Sequence, residues 1–147
     1  MGPEHGAESP VIVIHSLPHA VAALTAAAEA GRAVVLASPP AAGIYAGPGW
    51  FREVLRAAHE TVPSARSSAL LDCGDDAGAA MAAIRAGVEA VVFIGRAEVA
   101  ARLADIAAGR DILLVTERPD PALDLASAFL AAPDALRRHC LAVFDAE

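Results

Sequence analysis

The chain contains no lysine, no asparagine and no glutamine, and its 11 bases are all arginine. Such a bias reads as a GC-rich coding sequence, but its chemical consequences hold whatever its origin. Without lysine no side chain can form a Schiff base with a carbonyl substrate or with pyridoxal phosphate. The phosphate-cradling loop G-x-x-x-x-G-K-[ST] is excluded for the same reason. A response-regulator reading loses the lysine it needs at the end of a fifth strand. Positive charge is also in short supply, since 18 acids against 11 bases leave a net charge of -7. Only Arg137 and Arg138 are adjacent, so there is no basic stripe for a phosphate backbone and no nucleic-acid partner is expected.

Long apolar runs are missing too. Although 56% of the residues are hydrophobic, no stretch reaches the roughly 20 residues of a membrane span without Gly, Pro or charge. Residues 1–10 are acidic, contain Pro and Gly, and lack the positive start and apolar segment of an export signal. They read as a mobile tail ahead of a single α/β domain over 11–147, at one domain's length. The two cysteines, Cys73 and Cys140, lie far apart. With no export signal, a cytoplasmic protein with reduced thiols is expected rather than a disulfide.

What is present is a repeated alternation. Five short apolar runs, at 11–15, 33–37, 68–71, 90–94 and 111–116, are nearly continuous in Val, Ile and Leu. Strands buried on both faces of a parallel sheet have this composition. Between them lie Ala-rich helical patterns at 20–30, 50–61, 77–86 and 98–108, three of them followed by Gly31, Gly87 and Gly109. After Thr116, Pro119-Asp120-Pro121 opens an expected fifth helix to about residue 131. A sixth is expected over 135–144, with Leu136, Cys140, Leu141 and Phe144 on one face. Asp120, Asp134 and the Arg137-Arg138-His139 cluster read as helix capping and dipole-compatible surface charge.

The alternation implies an α/β fold, a five-stranded parallel sheet with helices on both faces. A flavodoxin-like open sheet of order 2-1-3-4-5 uses five strands. The other architecture is a partial barrel, since a closed (β/α)₈ barrel takes about 200 residues or more.

Chemistry concentrates at Leu71-Asp72-Cys73-Gly74, where a carboxylate and a thiol follow a buried strand. The stretch 17–95 resembles the first half of the class II, metal-dependent fructose-bisphosphate and tagatose-bisphosphate aldolases. Leu17-Pro18-His19-Ala20-Val21-Ala22-Ala23-Leu24 is similar to that family's first helix. Val35-Leu36-Ala37-Ser38-Pro39-Pro40-Ala41-Ala42-Gly43-Ile44-Tyr45-Ala46-Gly47 is similar to its P-V-I-L-Q-x-S-x-G-A-x-x-Y-x-G block, and Ala69-Leu70-Leu71-Asp72-Cys73-Gly74 to its H-L-D-H-G. Ala83-Ile84-Arg85-Ala86-Gly87 with Val91-Val92-Phe93-Ile94-Gly95 follows its A-I-x-x-G-F-x-S-V-M-I-D-G-S.

The resemblance implies that Asp72 is a catalytic acid/base and Ser38 a substrate-side hydroxyl. The family's first zinc-binding His falls on Cys73, and its Asp and Ser after the fourth strand fall on Ile94 and Arg96. Its other zinc histidines and its Gly-rich phosphate loops belong to later strands with no counterpart here.

Catalytic zinc takes about three protein ligands, so Cys73 as a metal ligand would need His15, His19 or Asp75 from other loops. In the flavodoxin-like order, the crevice between the first and third strands would bring His15-Ser16 and His19 toward Asp72-Cys73-Gly74-Asp75-Asp76, forming a ligand cleft. The structural alternative has His15 packed at a strand end, Asp75 or Asp76 capping the helix at Ala77, and Asp72 accepting backbone N–H groups. Cys73 reads either as a reactive thiol or as a buried inert one, with three carboxylates opposing the thiolate. The segment 43–50, with Tyr45 and Trp50, reads as a lid or partner-binding loop, or as the staple that starts a helix.

Two functions follow. One is a non-catalytic or vestigial aldolase-like module, without cofactor, that binds a small ligand through Ser38, His15, His19, Asp75 and Tyr45, or a protein partner, as a homodimer. The other is a metal-dependent lyase with Asp72 as acid/base and zinc on Cys73.

Overall fold

In the computed structural model, which describes residues 9–146, the apolar runs become strands and the Ala-rich patterns become helices. The strands are β1 (Val11–Val13), β2 (Val34–Ala37), β3 (Ser67–Asp72), β4 (Ala90–Val92), β5 (Leu113–Val115) and β6 (Leu123–Asp124). The helices are α1 (Leu17–Ala30), α2 (Ala42–Tyr45), α3 (Gly47–Thr61), α4 (Ala77–Ala86), α5 (Ala97–Ala108) and α6 (Pro133–Asp145). Six strands form one sheet in the order β5-β4-β3-β2-β1-β6, and the pairs β1–β6, β3–β4 and β4–β5 are parallel. The α/β class and the parallel sheet flanked by helices are those the sequence implies. No helix among the described residues is long and apolar enough to cross a membrane.

Three expectations are corrected. The order is not 2-1-3-4-5, because β2 lies between β1 and β3. Apolar runs report burial and not neighbours, and the direction of each crossover is set by helix packing that periodicity does not carry. The expected helix from Pro121 to about residue 131 is instead β6 followed by a 3-10 helix, Leu125–Ala128. The Ala122 N–H donates to the Val11 carbonyl at 2.8 Å, which draws the chain into the sheet, and Asp124 caps the 3-10 turn through the Ala126 N–H. Finally, the expected loop 43–50 is largely helical, with α2 ending at Tyr45 and α3 starting at Gly47. Trp50 is thus already in the first turn of α3, and Phe51 beside it is the aromatic that is buried.

The chain divides into two compact units. The first comprises the described residues of Met1–Leu36, Val54–Ser68 and Asp120–Glu147. Its helix α1 starts where Ser16 caps the His19 N–H with Pro18 in the first turn, and ends at Gly31, whose φ of 67° is the left-handed turn a side chain disfavours. Two sides of α1 are buried: Ala20, Ala23, Leu24 and Ala27 form one stripe, and Ala22 and Ala26 lie beside it. Alanine suits a helix that packs on two sides, and α6 takes one of them. On α6, Leu136, Cys140 and Phe144 are buried at i, i+4 and i+8, as their spacing implies, while Leu141 is half-buried. Each such large apolar side chain stabilises by about 1.5–3 kcal/mol. Residues 1–8 of the expected tail lie outside the described residues; Pro10 is buried, and its carbonyl accepts the Val35 N–H.

The second unit comprises Ala37–Glu53 and Ala69–Pro119. Here β3, β4 and β5 pair in register, Leu71 against Val91 and Val91 against Leu114. Leu71, Ile84, Val91 and Val92 form its fully buried core. Of the two aspartates expected to cap α4, it is Asp76 that accepts the Ala79 N–H, at 2.9 Å.

Candidate functional site

The apolar residues Leu70 and Leu71 carry β3 through the core and deliver Asp72 to its C-terminal end, the usual address of chemistry in α/β folds. Asp72 is only 3% exposed. Its Oδ1 accepts the Gly74 N–H at 2.8 Å and the Ala41 N–H at 3.1 Å. Its Oδ2 accepts Nη1 of Arg118 at 2.8 Å. The same guanidinium turns Nη2 to the Ser38 carbonyl at 2.9 Å. Ser38, itself fully buried, accepts the Asp72 backbone N–H on Oγ at 2.9 Å and donates to the Pro39 carbonyl. One carboxylate therefore ties together the loops after β2, β3 and β5.

Ala41 stands at φ 61°, a left-handed conformation rare for a residue with a Cβ. Its N–H is fixed on Asp72, and a charge-assisted hydrogen bond, worth about 1.5–3 kcal/mol, offsets strain of about 1–3 kcal/mol. Gly43 is required for a different reason. A Cβ there would lie 2.6 Å from Cys73 Sγ and 3.1 Å from the Asp72 carbonyl, so α2 can seat on the end of β3 only without a side chain at this position.

Cys73 is fully buried, and its thiol is pushed up to about 12 by burial first, then by the charges of Asp72 and Asp76. At neutral pH it is a protonated thiol, and a zinc thiolate would have to overcome both effects. Among the described residues no group of three or more His, Cys, Asp or Glu is placed to hold a metal ion. Asp75 is exposed on the turn before α4, and Tyr45, at the end of α2, is 68% exposed.

His15 and His19, and the partners they bond, all belong to the first unit. The His15 backbone N–H donates to His19 Nδ1 at 3.0 Å. That nitrogen must be unprotonated, so the proton sits on Nε2, which donates to the Phe129 carbonyl at 3.0 Å. The ring of His19, fully buried, is thereby held as one neutral tautomer. His15 Nε2 meets Asp124 Oδ1 at 2.7 Å. The Phe129 ring packs edge-on against His19, with centroids 5.0 Å apart, and tilts over His15 at 5.9 Å. Ser16 is occupied as the cap of α1.

The expected convergence of these histidines on residues 72–76 depended on β1 lying beside β3, an order the sheet does not adopt. The structure brings Ser38 to Asp72 and His15 to His19, as two separate clusters. Four participants were not singled out from the sequence: Arg118, Ala41, Asp124 and Phe129. Arg118 had a readable signal, since it follows the last apolar run by two residues and so occupies the same address as Asp72, the loop beyond a strand's C-terminal end. Ala41, Asp124 and Phe129 carried none, because their roles rest on backbone geometry and on a strand that periodicity did not reveal.

No protein-family model matches the chain, and no curated protein matches it.

Proposed function

We propose that the chain is a non-catalytic, aldolase-like α/β module. It acts by binding a small ligand or a protein partner, associates with its own copies, takes no cofactor, and works in the cytoplasm away from membranes and nucleic acid. The observation that carries this reading is the state of the Asp72 carboxylate. General acid/base catalysis requires a carboxyl group within reach of a substrate proton. Here both oxygens are held at 2.8–3.1 Å by donors of the chain itself, and the group is buried. Such a carboxylate braces loops. The buried, protonated thiol of Cys73 supports the same reading. The side-by-side succession of β1 to β5 supports the aldolase-like lineage, because β/α barrels lay down their strands in that way.

The alternative, a zinc-dependent lyase with Asp72 as acid/base and Cys73 as ligand, makes an opposite prediction. We expect purified protein to cleave no ketose bisphosphate, with or without added zinc, and Asp72→Asn to lower the melting temperature instead. Cleavage that Asp72→Asn abolishes in a protein of unchanged circular dichroism would establish the lyase.

A further inference from the structure

We propose that the N-terminal turns of α1 and α6, together with the Phe129-Leu130 turn, form the face through which two copies of this chain pair about a two-fold axis. The proposal rests on the self-association in the reading above and adds where it occurs.

Two complementary features share this face. One is a projection: Leu130 is 92% exposed and Phe129 48% exposed, both in the turn after the 3-10 helix. The other is a groove of about 520 Å³ between α1 and α6, lined by Leu17, Pro18, Val21, Ala22, Thr25 and Pro133. They are neighbours, since Leu130 precedes Pro133 by three residues and the Phe129 ring rests on His19, next to Pro18. An exposed apolar projection beside an apolar groove suits a two-fold interface, because each copy then offers both halves of the contact. A partner of a different kind would need only one of them.

The projection is also fixed in place. His19 Nε2 holds the Phe129 carbonyl and the Ala131 N–H closes a turn onto the Ala128 carbonyl, so little side-chain and loop freedom is lost when it docks.

Charge points to the same occupant. A chain of net charge -7 repels its own copies over most of its surface. At the rim of this groove two acids and two bases balance: Arg137 bridges Glu29 and Asp134, each at 3.0 Å, and Arg138 pairs with Asp134. Because these charges pair within each copy, the rim is locally neutral and does not repel a second copy as the rest of the surface does.

The test is sedimentation equilibrium of the full chain over a micromolar range. Wild type is expected at twice the mass of one chain. Leu130→Glu, an exposed position that the fold tolerates, and Val21→Glu in the groove are each expected to raise the dimer dissociation constant about thirtyfold or more. Leu113→Glu, at an exposed apolar position of β5 in the other unit, is expected to leave the dimer intact. Wild type at the mass of one chain throughout would overturn self-association itself. A dimer that survives both Leu130→Glu and Val21→Glu would overturn the face alone, and neither result bears on the non-catalytic reading of Asp72.

Discussion

The Asp72 cluster and the His19 cluster solve one problem with different chemistry. Each lies where a strand hands over to its loop, each centres on a side chain that is almost or wholly buried, and each bonds one backbone group nearby in the chain and one far along it. In the second unit the centre is a carboxylate answered by a guanidinium and two N–H groups. In the first it is a neutral imidazole, accepting with one nitrogen and donating with the other. The ionic version can gather three loops at once because a carboxylate accepts several donors. The neutral version joins only two segments but needs no counter-charge. No buried side-chain polar atom among the described residues lacks a partner, so both clusters are complete as braces.

The largest effect should come from the ionic side. Asp72→Ala removes the acceptor of two N–H groups and leaves Arg118, mostly buried, without its carboxylate. Breaking such a pair costs about 3–5 kcal/mol, to be read as a shift of the urea midpoint. A loss below about 1 kcal/mol would mean that the loops hold without it and that the comparison is wrong. His19→Leu should come next. It keeps the volume but strands the His15 N–H and the Phe129 carbonyl, at about 1–3 kcal/mol for an unsatisfied buried group. If it matched Asp72→Ala, the neutral brace would be as strong as the ionic one.

A third comparison sets the two cysteines side by side. Burial alone pushes Cys140 up to about 12, whereas at Cys73 the nearby Asp72 and Asp76 add to burial. Both native thiols keep a proton that the unfolded chain releases from about 9 upward, so their contribution to stability is intact below pH 9 and declines as the pH rises from 9 toward 12. Urea melts at pH 7.5 and 10.5 should show that decline, and native-state alkylation below pH 8 should be slow and without inflection for both thiols. A fast-labelling Cys73 at pH 7 would mark a reactive group and break the parallel.

The sequence carried those features that repeat locally. Uninterrupted Val, Ile and Leu runs announced buried parallel strands, Gly31 and Gly87 closed helices where expected, and Asp72 was found through its position at a strand end. Three kinds of information were not local. The order of strands depends on how Ala-rich helices choose a face, and Ala looks alike from every side. β6 is two residues long, too short to show a period, and its membership in the sheet rests on hydrogen bonding by Ala122 across more than a hundred residues. The partners of His15 and His19 lie on that strand and its following turn, so the histidines could be noticed but not placed.

One feature of the first unit also governs the time course of synthesis. Helix α1 is made well before α6, and the Phe129 carbonyl that its His19 must reach lies 110 residues further along. At about 5–20 residues per second, a ribosome takes roughly 5–20 s to cover that distance. During that interval the flank of α1 that packs on α6 has no partner, and only local structure can form. The unit closes only when Pro133–Asp145 has emerged, so the flank of α1 that packs on α6 stays uncovered until then.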